Sequence, residues 1–334
     1  MDKNDRLSLK NKALQCLANA SYSPKKLILI HTVIILLLSF LITIANYLLD
    51  NQISSTSGLG GIGSRSVLVT VQTVLRLSQT VLLPFWQMGY LYVTLKLARS
   101  EAVSPWDLCE GFRRLGPVLR LTLLRAALIA GIAIVGSNIA STIFALTPFA
   151  APMLELLEPM MADPTLMEDP MAFQEAFAAA MEEFMVPLLV ITAIVIIAIS
   201  IPVFYHYRLA SYFLMDNDRR GALASMRSSR KLMRYLCIDM FKLDVSFWWF
   251  YLLELLTGAL CYGDLLLGYL GVALPFDATV AYFVFFILYL VSQLALYWWR
   301  RNEVEVTYAC AYEFLRDRHD PKPQPKPQDQ PRGY

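Results

Sequence analysis

Three charged side chains lie inside long apolar stretches of the sequence: Arg76, Arg125 and Glu254. A charge at the centre of a membrane helix costs about 2.5–3.5 kcal/mol on insertion scales, so it normally pairs with an opposite charge or faces water. At 1.5 Å per helical residue, Glu254 lies roughly 12 Å from the basic end of its stretch, and Arg125 lies at a matching depth. Arg76 lies roughly 31 Å from the corresponding end and is too distant. We therefore predict that Glu254 and Arg125 form a buried pair.

Polar side chains recur around Arg76 in the same apolar stretch. They are Gln72, Thr73, Gln79 and Thr80. Two interpretations of this polar stripe stay open: contact with other helices in the outer leaflet, or a water-filled path for a small solute. We favour helix contact, because the polar residues of the chain do not form a continuous path at one depth.

Other motifs that could carry chemistry are weak. Gly58–Gly63 reads GLGGIG, but the G-x-G-x-x-G motif binds a pyrophosphate only between a strand and a helix, and here it falls in a predicted loop. His31, His206 and His319 have no metal-binding spacing, and the five cysteines form no Cys-x-x-Cys pair. We therefore expect no catalytic residue, no metal, no cofactor and no enzymatic activity.

The elements that hold these residues are apolar helices. Apolar residues make up 57% of the 334, and the mean hydropathy is +0.48. They occur in runs of about 20 residues, long enough to cross roughly 30 Å of hydrocarbon. We predict an all-α membrane protein with six transmembrane helices, at Leu27–Leu49, Val67–Leu97, Leu119–Thr147, Val186–Tyr207, Ser246–Leu267 and Thr279–Trp299.

The Lys and Arg residues predict the orientation of these helices. Basic residues precede the first span, separate the second from the third and the fourth from the fifth, and follow the sixth. Between Arg125 and Arg208 there is none, and Arg65 is the exception to the alternation. Loops rich in Lys and Arg stay in the cytoplasm. Both termini are therefore expected on the cytoplasmic side.

One connector between spans has the signature of a helix start. Ser104 suits an N-cap, Pro105 the first helical position and Asp107 the third, which together approach a capping box. Leu108, Cys109 and Phe112 share a face of this segment. We expect that face to lie on the membrane surface.

A second connector, residues 219–242, is basic and amphipathic. Leu223, Met226, Met233 and Leu236 recur at helical spacing, and the positions between them hold the cations Arg227, Arg230, Lys231 and Arg234. We predict an interfacial helix with its apolar side in the headgroup zone and its cations near anionic lipid. The alternative is a solvated basic face on a helix that packs against the protein itself.

The rest of the chain completes the domain organisation. Residues 1–26 form an N-terminal cytoplasmic amphipathic segment, 27–316 the transmembrane domain, and 317–334 a Pro-rich cytoplasmic tail expected to be disordered. The predicted outside segment 148–185 holds eight acids and no base. Its FQEAFAAAMEEF stretch predicts a short helix.

The stretch ALASMRSSRKLMRYLCIDMFKLDVSFWWFYLLELLTG resembles the signature of an uncharacterised bacterial integral membrane family, domain of unknown function 975. LSLKNKALQCL, MGYLYVTLKLARSEAVSPWDLCEGF and VTYACAYEFL are similar to further parts of that family. The resemblance implies a multi-helix bundle in the bacterial cytoplasmic membrane. It brings no catalytic residues, because the family has no established activity.

These observations favour a non-catalytic membrane protein that acts as a scaffold or lipid-associated module. Its expected partners are membrane lipids, anionic ones in particular, and a protein partner or a second copy of the chain. A net charge of +2 gives no reason to expect nucleic acid. Small-solute transport by the polar stripe and Glu254 is the alternative, and a lipid-modifying membrane enzyme is the third possibility.

Overall fold

The computed structural model describes residues 3–55, 62–162, 170–217, 219–263, 267 and 278–319. Within these ranges the regular elements are all helical and no strand is present, which confirms the predicted all-α class. The helices are α1 (Lys3–Ala18), α2 (Pro24–Ser55), α3 (Ile62–Ala98), a 3-10 turn (Pro105–Cys109), α4 (Glu110–Arg113), α5 (Leu115–Ala145), α6 (Ala150–Ala162), α7 (Pro170–Tyr207), α8 (Ala210–Asp216), α9 (Ala222–Met233), α10 (Cys237–Val245), α11 (Trp248–Leu260), α12 (Ala278–Leu296), a π turn (Tyr297–Arg301) and α13 (Asn302–His319).

Five helical stretches of the described chain are long and apolar enough to cross a membrane. A sixth span arises if α10 and α11, which are bent by 69° relative to each other, count as one. The prediction of a multi-pass membrane protein is therefore confirmed, with the fifth predicted span replaced by this bent pair. The five stretches are Pro24–Ile53, Ser66–Ala98, Leu115–Ala145, Phe184–Asp216 and Val280–Arg318.

The chain divides into two compact units. Met1–Thr122 and Tyr207–Tyr334 form the first, and Leu123–His206 forms the second. In the second unit α5 and α7 approach closely at Gly136, where an added Cβ would lie 2.9 Å from Cγ1 of Ile196. Arg125 belongs to this second unit, whereas Glu254 belongs to the first.

The core of the first unit is built around α13. Helices α1 and α3 pack against it. α1 buries Leu9, Ala13 and Cys16, which recur at helical spacing, and exposes most of its other side chains, as an amphipathic segment should. The side chains of α13 with no exposed surface are Val306, Thr307, Ala309, Cys310, Ala311 and Tyr312.

The predicted capping box at the start of the 3-10 turn is present. Ser104 is extended, its Oγ accepts a bond from the backbone N–H of Trp106, and its own N–H donates to Asp107 at 2.7 Å. Leu108 is buried against α3, where an added Cβ on Gly89 would lie 1.7 Å from the Leu108 carbonyl oxygen. The expectation that this apolar face lies on the membrane surface is therefore wrong for Leu108, because α3 covers it.

Some predicted features lie wholly or partly outside the described residues. They include positions 56–61 of the GLGGIG loop, positions 163–169 of the acidic segment and the tail from 320 onward. The helix predicted at FQEAFAAAMEEF is the beginning of the much longer α7. α13 continues to His319, three residues into the segment predicted as tail.

Candidate functional site

Glu254 lies in a small polar cluster between α11 and α12. We define the Glu254 cluster as Glu254, Thr257, Gln293, Tyr297 and Arg301. The Tyr297 hydroxyl donates to Glu254 Oε1 at 2.9 Å, and Gln293 Nε2 donates to Thr257 Oγ1 at 2.7 Å. The spacings i, i+3 on α11 and i, i+4 from α12 into the π turn place these side chains on facing sides of two helices.

The cation nearest to Glu254 within the first unit is Arg301, whose Nη1 lies 3.9 Å from Oε1. Arg125 is therefore not the only cation available to Glu254, and the Glu254–Arg125 pair stays a prediction. The apolar run of the sequence predicts that the sixth span ends at Trp299, with Arg301 just beyond it. In the structure the helix continues through the π turn, and Arg301 lies over the Tyr297 ring at 4.0 Å.

A second polar cluster holds the bend between α10 and α11. Asp244, two residues before the bend, pairs with Arg208 and accepts a hydrogen bond of 2.5 Å from the Tyr308 hydroxyl. The Tyr308 hydroxyl also contacts that of Tyr251. The Arg208 guanidinium lies 4.3 Å from the centre of the Tyr308 ring. This cluster joins α13 to both sides of the bend, and no local pattern in the sequence predicts it.

A third cluster joins the ends of α3, α8 and α13. Arg99 pairs with Asp216 and, at 2.5 Å, with Glu313. Arg316 pairs with the same two carboxylates. Burial alone would lower the pKa of Arg99, but its bonds to Asp216 and Glu313 raise that pKa above the ordinary value. Two guanidinium groups each pair with the same two carboxylates, so this cluster holds the ends of α3, α8 and α13 together.

The polar stripe of α3 does not form one surface. Gln72 is buried and donates to Asp50 of α2 at 2.7 Å, as expected for a contact between helices. Thr73 and Thr80 are exposed, and the Thr73 hydroxyl donates to the carbonyl of Val69 in its own helix. Gln79 is half-buried, and the Arg76 side chain lies outside the described residues. The structure thus supports helix contact for Gln72.

The basic helix, α9, presents its cations as predicted but not its apolar side. Arg227, Arg230, Lys231 and Arg234 are all exposed. Met226, Met233 and Leu236 are buried, while Leu223 is 58% exposed. The expectation that the three buried residues face the headgroups is wrong, because α8 packs against α9. The alternative prediction, a basic helix that packs against the protein itself, fits this buried side of α9.

The apolar surface left uncovered lies one helix later, along α10 and the residues just before and after it. The opposite side of α10 is covered, with Met240 and Leu243 fully buried. The exposed residues recur every three or four positions, and this spacing is visible in the sequence. The sequence analysis, however, predicts only the basic connector 219–242 and the span from Ser246 onward. We define the α10 stripe as the exposed side chains Tyr235, Ile238, Phe241, Val245 and Trp248.

α1 caps the carboxyl end of α10 with two cations. Arg6 Nη1 donates to the carbonyl of Lys242 at 3.0 Å, and Lys10 Nζ donates to that of Ser246 at 3.0 Å. Lys10 also lies 4.0 Å from the centre of the Phe247 ring. Helices end with free carbonyl groups that favour cations, so α1 stabilises α10 where it bends away from α11.

Comparison with known proteins places these features in a family. The family described as "Protein of unknown function (DUF975)" matches residues 1–305. The chain belongs to the DUF975 family. Neither a curated protein nor a solved structure matches the chain. The DUF975 match includes the Glu254 cluster, α9 and the α10 stripe, and it ends before Tyr308, Glu313 and Arg316 of the other clusters.

Proposed function

We propose that this DUF975 member is a non-catalytic membrane module that binds anionic lipid through α9 and the α10 stripe. The observation that carries the proposal is the α10 stripe itself. Ile238, Phe241 and Val245 are exposed along one face of α10, which is bent by 69° relative to α11. Tyr235 and Trp248 are exposed just before and just after that helix. An apolar face beside a basic helix favours the boundary between headgroups and acyl chains.

The residues at the ends of the stripe support this placement. Tyr235 and Trp248 flank Ile238, Phe241 and Val245, and these two aromatic types are enriched at membrane interfaces. The exposed cations of α9 would then lie next to the headgroups, where each Lys or Arg contributes about 1 kcal/mol toward anionic lipid. By the positive-inside rule, α9 and α10 belong to the inner leaflet of the bacterial cytoplasmic membrane.

Depth measurements on the reconstituted full chain test the proposal. A spin label at Ile238 or Phe241, in a cysteine-free background, should be more accessible to oxygen than to a water-soluble nickel reagent. A label at Leu223, exposed on α9, should give the opposite ratio. If the label at Ile238 is as accessible to nickel as the label at Leu223, α10 does not lie in the bilayer and the proposal fails.

Transport of a small solute is the second candidate function. The Glu254 cluster favours it, since it gathers an acid, a base and three neutral polar groups where α11 meets α12. The contact of Gln72 with Asp50 weighs against a path that also uses the α3 stripe, because Gln72 is occupied in joining two helices.

A further inference from the structure

The Glu254 cluster brings oxygen atoms from two facing helices together. Glu254 and Thr257 supply a carboxylate and a hydroxyl from α11. Gln293 and Tyr297 supply an amide oxygen and a phenol from α12 and the π turn. The hydrogen bonds Tyr297–Glu254 and Gln293–Thr257 hold all four side chains in one place, without using every oxygen lone pair.

One oxygen of this set is buried and has no hydrogen-bond partner. Gln293 is 4% exposed, and its Oε1 makes no hydrogen bond, although its Nε2 donates to Thr257. A buried acceptor without a partner loses the hydration it had in water and gains nothing in return. Because the Nε2 bond fixes the amide, Oε1 is fixed with it and is available to a ligand.

The charges around Arg301 do not balance when Glu305, which lies outside the Glu254 cluster, is counted with Glu254. Arg301 lies 3.9 Å from Glu254 and 3.6 Å from Glu305, so one guanidinium is shared by two carboxylates. Both distances exceed the roughly 2.7–2.9 Å of a charge-assisted hydrogen bond. These three groups carry a net charge of −1. A charge among membrane helices is normally balanced by a partner.

We propose that Glu254, Thr257, Gln293 and Tyr297 bind one alkali metal cation between α11 and α12. Carboxylate, hydroxyl and amide oxygens are the ligands that hard cations prefer. A single positive charge matches the net charge of Glu254, Glu305 and Arg301 taken together, so a monovalent ion fits better than a divalent one. The proposal does not depend on lipid binding by α9 and α10.

Thermal unfolding of the purified full chain in a neutral detergent tests this site. Sodium, potassium or lithium chloride replaces choline chloride at constant ionic strength and pH. At about ten times the half-saturating concentration, one alkali ion should raise Tm by about 2–4 °C. Gln293→Leu and Glu254→Gln should both abolish the rise. Gln87→Leu, at an exposed glutamine of α3, is the matched control and should keep it.

Each outcome decides the question. An equal Tm in alkali and choline salts overturns the proposal, and so does a rise that survives in Gln293→Leu. A Tm that responds to pH but to no alkali ion also overturns it, because the cluster would then bind a proton. If Glu254→Gln does not fold, Gln293→Leu and Tyr297→Phe provide the test, since neither removes a charge.

Discussion

Ser100 shows how one residue can carry backbone strain in this protein. It follows α3 with φ of 57°, a left-handed conformation that side chains disfavour. The N–H of Glu101 bonds to the carbonyl of Lys96, and that of Ser100 bonds to Leu97. This is the Schellman pattern, whose left-handed position is usually glycine. It places Arg99 at the point where α3, α8 and α13 meet.

Replacing Ser100 by glycine should therefore stabilise the protein. Glycine adopts the left-handed conformation without strain, so Ser100→Gly should raise the free energy of unfolding by about 1 kcal/mol. The measurement is thermal unfolding in detergent. Ser228→Gly, inside α9, is the matched control and should lower Tm, because glycine is a poor helix former. Equal losses in the two variants would contradict the assignment of strain to Ser100.

Gly89 is required because α3 and the 3-10 turn approach each other so closely. An added Cβ would lie 1.7 Å from the backbone carbonyl oxygen of Leu108, and backbone cannot move aside as a side chain can. We expect Gly89→Ala to destabilise by more than about 3 kcal/mol, as overpacking against a fixed neighbour does.

The matched control for Gly89→Ala is Gly131→Ala. An added Cβ at Gly131 meets nothing within 4 Å, and Gly131 lies within α5. Alanine there should stabilise by about 0.5–1 kcal/mol, since it favours the helix. The measurement is the fraction of monodisperse protein after size-exclusion chromatography, followed by Tm. If Gly89→Ala behaved like Gly131→Ala, the close approach would be refuted.

Helix α1 stabilises α10, because two of its cations bind carbonyl groups at the carboxyl end of α10. Lys10→Met should lose the bond to the Ser246 carbonyl and the contact with the Phe247 ring, at a cost of about 1–3 kcal/mol. The bend between α10 and α11 should then open more often. Hydrogen–deuterium exchange of peptides covering 240–250 is expected to become faster.

Lys12→Met is the control for this element, because Lys12 is exposed on α1 and the substitution removes the same charge. Exchange at 240–250 should remain that of the parent protein. Faster exchange in both variants would point to the net charge of α1 and not to the cap.

The cations of α9 should control lipid selection. Arg230 and Arg234 are exposed, and each contributes up to about 1 kcal/mol toward anionic headgroups. In nanodiscs of mixed neutral and anionic lipid, Arg230→Gln with Arg234→Gln should reduce the enrichment of anionic lipid around the protein. Fluorescence transfer to labelled anionic lipid measures this enrichment.

A double variant with the same charge change, Lys3→Gln with Lys12→Gln on α1, serves as the control and should keep most of the enrichment. High salt should weaken enrichment in the parent protein, because surface charges are screened. Equal losses from the two double variants would mean that total charge, and not α9, selects the lipid.

For the whole molecule, the alternation of basic residues predicts the topology. In intact cells, single cysteines at Ser55 and Gln174 should react with a membrane-impermeant reagent, and one at Ser228 should not. Labelling of Ser228 from outside would place α9 on the outer face. It would overturn both the predicted orientation and the proposed contact with the inner leaflet.

The sequence by itself determined the class of protein, the approximate positions of five apolar spans and the capping box at Ser104. These features depend on local properties of the sequence: the length of apolar runs, the helical spacing of apolar residues, and the three-residue separation of Ser104 and Asp107 in the capping box. The exposed cations of α9 were also predictable, because four charges on a short helix can hardly all be buried.

Only the tertiary structure decided which parts of the protein cover each face of a helix. Periodicity predicted that Met226 and Met233 share a side of α9, but not that protein buries that side and leaves the α10 stripe uncovered. It likewise could not pair Glu254 with Tyr297, 43 residues away, or Arg99 with Glu313, 214 residues away. Such contacts depend on how helices distant in sequence pack together, and that information is absent from any local pattern.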